Sequence, residues 1–424
     1  MSLGLSARIS AGGNPAWDAA TLARDYLKSA GVTLRTAPAR IALSGDAQDI
    51  VAAVALFLAD QEHQVILVPD EHDERTASPP FRARHSLRAI DRGQPYHEFP
   101  SGVGPEGEWQ IALYSSGSTG MPRAYGFTIR QLATVATWYS GIYQVTGSSA
   151  IVTCLPVSYN FTFIAGLCLS AQTGARLHLS ASTDEVFRDA AELATRSDRV
   201  VILANPVILS SAVSAGVRLP GNVLIDSGGA PLSTPGIARL RDMLGDVREG
   251  YGLTETASLT HFDAEGTAPS LGTVGAPMPG VNCWIDTSSG RPRVGLESPA
   301  VGVEILSDGA SRPSRSSLLT GDLGTIDAAG RLRLLGRADD WPAGDLWPRD
   351  TLDLIGEELG TQCALVRHPA PDEIQVRVLG GQPADTAARI RMLVTERTGL
   401  PVTSVSVTGQ DGPLLHSRKM PRVV

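Results

Sequence analysis

The chain has 424 residues, 42% of them hydrophobic and 19% charged, with 36 basic and 44 acidic side chains and a formal net charge of −8. That is an ordinary globular balance, with room for about three average domains or for one large and one small. No Lys/Arg block interrupts the acidic background and no apolar stretch reaches the about 20 residues of a membrane span, so neither nucleic-acid binding nor a spanning helix is expected.

The opening "MSLGLSARISAGGNPAWD" lacks the apolar core of a signal peptide, and a cytoplasmic location is expected. Apolar runs of strand length follow at 40–45 ("RIALSG"), 63–70 ("HQVILVPD") and 109–114 ("WQIALY"). Then comes a Ser/Gly/Thr loop, and after it a helical pattern, "IRQLATVATWYSGIY" (129–143). Further runs lie at 150–156, 175–180, 199–205 and 222–229. Between them stand amphipathic stretches such as "STDEVFRDAAELATR" (182–196), opened by Ser182, Thr183 and Asp184 as N-cap candidates, and "TPGIARLRDMLGD" (234–246). Strands alternating with helices predict an α/β architecture with a largely parallel sheet.

From about residue 270 the texture changes to short Gly- and Pro-rich strands, which predicts an antiparallel or barrel-like section. After "GRADDWPAG" the pattern restarts as helix, strand, strand, helix, strand over 349–408, a small α+β unit. Cys154, Cys168, Cys283 and Cys363 form no C-x-x-C pair, so they read as buried thiols and not as a zinc site or disulfide framework.

Residues 114–128, "YSSGSTGMPRAYGFT", carry the first chemical signal. Alone, they read equally as a surface turn, since Gly and Ser favour turns, and as an anion cradle. In a cradle, small residues let backbone N–H groups converge on a phosphate, and Arg123 adds a fixed positive charge. "GVGPEG" (102–107) fits G-x-G-x-x-G, but Pro100 and Pro105 flank and interrupt it, with no strand directly before or helix after. No H-E-x-x-H and no G-x-S-x-G occurs, so zinc-protease and α/β-hydrolase readings lack their markers.

The loop does not stand alone. "DSGGAPLS" (226–233), "EGYGLTETA" (249–257), "LLTGDLG" (318–324), "GRADD" (336–340) and the C-terminal "HSRKMPRVV" follow in order. Together they resemble the adenylate-forming superfamily of acyl- and aryl-CoA ligases, luciferases and peptide-synthetase adenylation domains. The resemblance implies a large N-terminal AMP-binding domain (1–337), built of parallel α/β sheets plus a small β-barrel-like section. It also implies a small, mobile α+β C-terminal domain (338–424). The implied chemistry is formation of an acyl-adenylate from a carboxylic acid and MgATP with release of pyrophosphate. Such a site mainly positions two anions and stabilises charge on the α-phosphate.

Residue by residue, the resemblance assigns Ser115, Ser116, Gly117, Ser118, Thr119 and Gly120 to the β- and γ-phosphates. Arg123 stands where the family has lysine, and arginine also binds phosphate. Gly229, Ala230 and Pro231 would wall the adenine and Tyr251 would stack on it. Thr254 would touch the α-phosphate, Glu255 would hold Mg2+, and Asp322 would accept the ribose hydroxyls with Arg337 nearby. Lys419 would bridge the carboxylate and the α-phosphate. Only two of the 36 basic residues are lysine, Lys28 and Lys419, which favours a specific task for Lys419 over a solvated tail charge. Asp339 and Asp340 look like a solvated turn, whereas the resemblance makes Asp339 the hinge of the small domain.

The segment "LPVSYNFTFIAG" (155–166) corresponds to the acyl pocket, with Tyr159, Asn160, Phe161, Gly228 and Gly252 as lining candidates. It holds no acid to pair with an ammonium, which disfavours an α-amino acid. "SYNFT" is similar to the His-Asn-Tyr stretch of aryl-acid-activating enzymes, but Tyr159 and Phe161 read equally as core aromatics. An aromatic or short unsaturated acid is the expected class. After "GRADD" the chain reads "WPAGDLWP" in place of the family's Ile-Lys-x-x-Gly, with Gly344 as the surviving glycine, so the altered turn leaves thioester formation open. Acceptors in play are CoA, an acyl carrier protein or an amine. The alternatives are a dedicated acyl- or aryl-CoA ligase and, in another class, a non-catalytic nucleotide-binding relative.

Overall fold

The computed structural model describes residues 8–11, 17–29, 40–43, 48–61, 63–67, 109–115, 123–305, 316–359, 364–379, 385–399 and 402–408. The chain begins with β1 (Arg8–Ala11), β2 (Trp17–Asp18), α1 (Ala19–Ser29), β3 (Arg40–Leu43), α2 (Gln48–Asp60) and β4 (Gln64–Leu67). Next come β5 (Ile111–Tyr114), β6 (Ala124–Phe127), α3 (Ile129–Tyr143) and β7 (Ala150–Thr153). A composite helix follows: α4 (Asn160–Thr162), a π-helical stretch (Phe163–Cys168) and α5 (Leu169–Thr173). Then β8 (Arg176–Leu179), α6 (Thr183–Ala194), β9 (Val200–Ala204), α7 (Pro206–Ala215), β10 (Val223–Ser227), α8 (Thr234–Leu244) and β11 (Asp246–Tyr251) complete the alternation.

Local chemistry sets the helix starts. Thr128 and Gln131 form a reciprocal capping box at α3, and Asn205 accepts from the Ile208 amide at α7 with Pro206 in the first turn. Ser233 caps α8 by accepting from the Gly236 amide. The central strands are apolar throughout because both faces are covered: all five residues of β9 are buried.

Strands β12 (His261–Phe262) and β13 (Ala276–Pro277) extend the first sheet, a nine-stranded one in the order β13-β12-β11-β10-β9-β7-β8-β1-β2. Its interior pairings are parallel and those at its two ends antiparallel. Beyond it come β14 (Asn282–Asp286), β15 (Arg293–Glu297), β16 (Val303–Ile305), β17 (Ser317–Ile326) and β18 (Leu332–Arg337). Four of these make an antiparallel sheet, β14-β15-β17-β18, as the changed texture predicted. β16 leaves it and pairs with β6 at the edge of a five-stranded sheet, β16-β6-β5-β4-β3. One core lies between the nine- and five-stranded sheets around α2, α3 and α5, and a second lies under α6, α7 and α8 on the other face.

The phosphate-loop segment corrects the sequence reading. The chain does not pass from loop to helix; it first makes β6, antiparallel to β5, so the loop tops a hairpin. The Ser115 amide donates to the Arg123 carbonyl at 2.7 Å and closes it.

The C-terminal unit is α9 (Pro348–Leu359), β19 (Ala364–Ala370), β20 (Glu373–Leu379), α10 (Thr386–Thr398) and β21 (Val402–Thr408), the predicted order. It has its own core around Ile355, Ile374, Val376 and Ile390. The architecture is thus a large mixed α/β domain followed by a smaller one. α9 leans on α8 and β18 through Asp353, which accepts from the Thr234 amide (2.7 Å) and hydroxyl (3.0 Å), from Arg333 (3.2 Å) and from Arg349 (3.2 Å).

Candidate active site

Parallel strands deliver their carboxyl ends to one edge, where ligands of open α/β sheets bind. β10 ends there in Gly228, Gly229, Ala230 and Pro231. Gly229 has φ +85°, a conformation that favours glycine, and Pro231 is exposed. A Cβ on Gly228 would meet the Phe161 ring at 3.2 Å, so that ring covers the strand end.

β11 ends beside it in Tyr251, which is buried. Its hydroxyl donates to Asp322 Oδ2 at 2.8 Å, and the Arg337 guanidinium donates to Oδ1. Asp322 and Arg337 are facing partners on β17 and β18, so strand register sets that ion pair. Burial first, and then the adjacent Asp322 charge, push the Tyr251 phenol well above its ordinary value and keep it a donor. Three residues assigned to the nucleotide from separate motifs are here in one hydrogen-bonded set.

The turn after Tyr251 folds tightly back. A Cβ on Gly252, a lining candidate for the acyl pocket, would lie 1.9 Å from the Ser258 carbonyl oxygen, so only glycine fits this turn. Thr254–Thr256 is one 3₁₀ turn, and Ala257 (φ 52°) and Ser258 (φ 85°) follow in left-handed conformations uncommon for residues with a Cβ. The turn presents Glu255 to the base of the hairpin, where its carboxylate is hydrogen-bonded to Tyr125. Arg123 lies in the same place, 54% exposed and 3.8 Å from Glu304, with its amide donating to Ser115 Oγ at 3.0 Å. Ser115, Arg123, Thr254 and Glu255 are therefore neighbours in space. Ser116, Gly117, Ser118, Thr119 and Gly120 lie outside the described residues, as does Lys419.

Tyr159, Asn160 and Phe161 open the composite helix. Asn160 donates to the Leu253 carbonyl at 3.4 Å, tying this helix to the turn before Thr254, while its Oδ1 is buried and has no partner among the described residues. The π-helical stretch behind it, a form frequent at functional sites, had no sequence signal.

Asp339 and Asp340 differ, which corrects their reading as one solvated turn. The Asp339 side chain is 68% exposed and meets Arg367 at 2.9 Å. Asp340 is wholly buried, accepting from the Arg337 amide (2.6 Å), Arg367 Nε (2.6 Å) and the His368 amide (3.0 Å). The contracted turn that follows closes between Ala343 and Leu346, with Gly344 at φ +61°. Trp341 beside it carries the Arg291 guanidinium 4.4 Å above its ring.

Sequence reasoning missed Asp226 of β10, which is 1% exposed. Tyr143 donates to its Oδ2, and burial, offset by that bond and reinforced by Glu249, pushes its carboxyl up to about 7. Tyr125 was missed as well, because the four residues of β6 are all buried and show no alternation. Among the described residues no group of three or more His, Cys, Asp or Glu could hold a metal by itself. A lone carboxylate such as Glu255 suits Mg2+, which keeps several waters and takes substrate phosphates as its other ligands.

A family model described as AMP-binding enzyme matches residues 27–303, well over half the chain. The chain belongs to this family. The AMP-binding domain is that of the adenylate-forming superfamily, as the motifs implied. An acyl-CoA ligase of Penicillium expansum is 27% identical over 214 residues, covering 48% of this chain and 44% of that protein. This AMP-binding chain spans less than half the length of the first curated relatives it matches. Among solved structures, the O-succinylbenzoate coenzyme A synthetase of Bacillus subtilis in complex with AMP has a TM-score of 0.71 at 16% identity, covering 99% of this chain and 93% of that one. An amide bond synthetase of Marinactinospora thermotolerans has a TM-score of 0.66 at 19% identity, covering 96% and 93%. These likenesses establish the fold. No helix among the described residues is long and apolar enough to cross a membrane.

Proposed function

We propose that this AMP-binding chain activates a carboxylic acid with ATP. The carboxylate attacks the α-phosphorus, the bond to the β-phosphate oxygen breaks, and an acyl-adenylate and pyrophosphate result. The acyl group then passes to a thiol or amine. The observation that carries the reading is the hydrogen-bonded set of buried Tyr251, buried Asp322 and half-buried Arg337 beside the Gly228–Pro231 turn. An ionised carboxylate offers about four lone-pair sites, so Asp322 keeps capacity for two ribose hydroxyls while holding Tyr251 and Arg337. Tyr251, anchored through its hydroxyl, offers a fixed ring face to adenine against Gly229, Ala230 and Pro231.

In this reading Arg123 and the Ser115–Gly120 loop grip the terminal phosphates, and Thr254 touches the α-phosphate. Glu255 contributes the protein's ligand to Mg2+, which when bound neutralises phosphate charge. Lys419 brings a second positive charge to the reacting oxygens. The domain boundary falls between 337 and 338, with exposed Asp339 as the hinge next to buried Asp340. Phe161 and Tyr159 beside Asn160 suit an aromatic or short unsaturated acid.

CoA, a carrier-protein thiol and an amine are all chemically compatible acceptors. A dedicated CoA ligase is the second reading, favoured by the names of the curated relatives. Pyrophosphate release with hydroxylamine trapping, across benzoates, cinnamates, phenylacetates, short fatty acids and amino acids, tests the proposal. A hydroxamate from one class supports it. ATP binding without pyrophosphate release from any acid refutes it in favour of a binding-only relative.

A further inference from the structure

Asp226 presents a problem that its own fold does not solve. It lies two residues before Gly228 on β10, about 7 Å further from the strand end. Its Oδ2 accepts from Tyr143, whose ring packs against Tyr139 and Phe262. Tyr139 is occupied with Ser258, hydroxyl to hydroxyl at 2.9 Å. Asp226 Oδ1 has no partner among the described residues, although the side chain is 1% exposed. Buried carboxylate oxygens without donors are costly and uncommon, and one that persists in a site calls for a ligand that satisfies it.

Glycines border Oδ1 and the end of the strand. Gly250, on the neighbouring strand, lies beside Oδ1: a Cβ there would stand 3.4 Å from that oxygen, 3.3 Å from the Phe262 ring and 3.5 Å from Leu259. Gly228 likewise has only hydrogen where the Phe161 ring approaches. Asn160 adds a second buried acceptor without a donor. Gly228 borders the Phe161 ring and Gly250 borders Oδ1 and the Phe262 ring.

We propose that Asp226 Oδ1 is the far anchor of the acid pocket, accepting a hydrogen bond from a hydroxyl or amino group that the acid carries remote from its carboxylate. This rests on the adenylation reading above. A donor arriving at Oδ1 gives the carboxylate its second bond and relieves its burial penalty. Asp226 is then a specificity residue that touches substrate away from the reacting atoms. It also supplies the acid that the 155–166 segment lacks, at a depth suited to a distal substituent and not to an α-ammonium.

The test compares, for each acid class that releases pyrophosphate, matched hydroxyl, amino, methoxy and unsubstituted versions. The donor-bearing acids are expected to exceed the methoxy and unsubstituted ones by about 10- to 100-fold in kcat/KM. Asp226→Asn should erase most of that ratio and shift preference toward the methoxy acids, because its amide can turn a donor toward the ligand. Gly250→Ala should erase it too, by covering Oδ1 while Asp226 stays in place. The hydroxyl and amino arms distinguish a neutral from a cationic donor. Donor and methoxy acids within about threefold of one another in the unmodified protein overturn the inference alone, as does a ratio that survives both variants. If Asp226→Asn does not fold, the ratio in the unmodified protein and in Gly250→Ala decides. No pyrophosphate release from any acid overturns the adenylation reading and this inference with it.

Discussion

Replacing Asp340 by alanine, beside the same change at Asp339, separates a buried anchor from an exposed neighbour. Asp340 is wholly buried and accepts three hydrogen bonds, one of them from the Arg367 guanidinium. Truncation leaves the Arg337 and His368 amides without that acceptor and leaves the half-buried Arg367 with only its exposed partner Asp339. Leaving buried donors unsatisfied in this way costs about 1–3 kcal/mol for each. The Asp339 carboxylate is 68% exposed, and its ion pair with Arg367 is worth about 0–1 kcal/mol. Hydrogen exchange of the β19 and β20 amides reads the opening free energy of the C-terminal unit without requiring two-state unfolding of the whole chain. Asp340→Ala is expected to lower that free energy by the larger amount and Asp339→Ala to leave it almost unchanged. Equal effects, or a larger one at Asp339, would refute the assignment of Asp340 as the anchor.

Tyr251→Phe removes one hydrogen bond to Asp322 and keeps the ring; the expected loss of about 1 kcal/mol weakens ATP binding about fivefold by calorimetry. Lys419→Ala is expected to slow hydroxamate formation by about 10² to 10³ with ATP affinity little changed, and near-normal turnover would dismiss this lysine. For Asp226 the carboxyl is raised from 3.8 to about 7 by burial, with Tyr143 lowering it and Glu249 raising it. A raised folded value means that the folded state holds the proton more tightly, so the stabilisation is full below about pH 4 and is lost as pH rises toward 7. Relative to Asp226→Asn, the unmodified protein should therefore lose stability across that window, by up to about 1.4 kcal/mol per pH unit, in denaturation midpoints measured from pH 4 to 8. A flat difference between the two proteins would show that Asp226 ionises normally.

The alternation of strands and helices was legible because it rests on local patterns: the run Val200–Ala204 and the periodic 129–143 both became the elements they suggested. The order of the C-terminal unit was legible for the same reason. β6 was not, since four residues containing a glycine and buried throughout show no alternation to set against the neighbouring loop. The Thr128 and Gln131 capping pair was the available sign that the helix begins only after Phe127. Spacing alone could not mark Asp340 as buried, because two of its three donors, on Arg367 and His368, arrive from a strand 27 and 28 residues away. The same holds for Asp226, whose partner Tyr143 is 83 positions earlier. The Tyr251, Asp322 and Arg337 set was assembled in advance only through the resemblance, which carries tertiary information that composition and periodicity lack.

The hairpin formed by β5 and β6 has a consequence for how tightly nucleotide is held. Joining the ends of a loop costs entropy, whether the joining happens on folding or on binding. Here the ends meet when the sheet forms: Tyr114 faces Ala124 across the ladder, and Ser115 and Arg123 are bonded at 2.7 Å. In the adenylation reading, that closure cost falls on the folding equilibrium and is absent from the dissociation constant of ATP. Cutting the chain between residues 116 and 122, with both halves retained, would leave the hairpin's hydrogen bonds in place but return this cost to the ligand. Affinity for phosphate would then report directly on the pairing of the two strands.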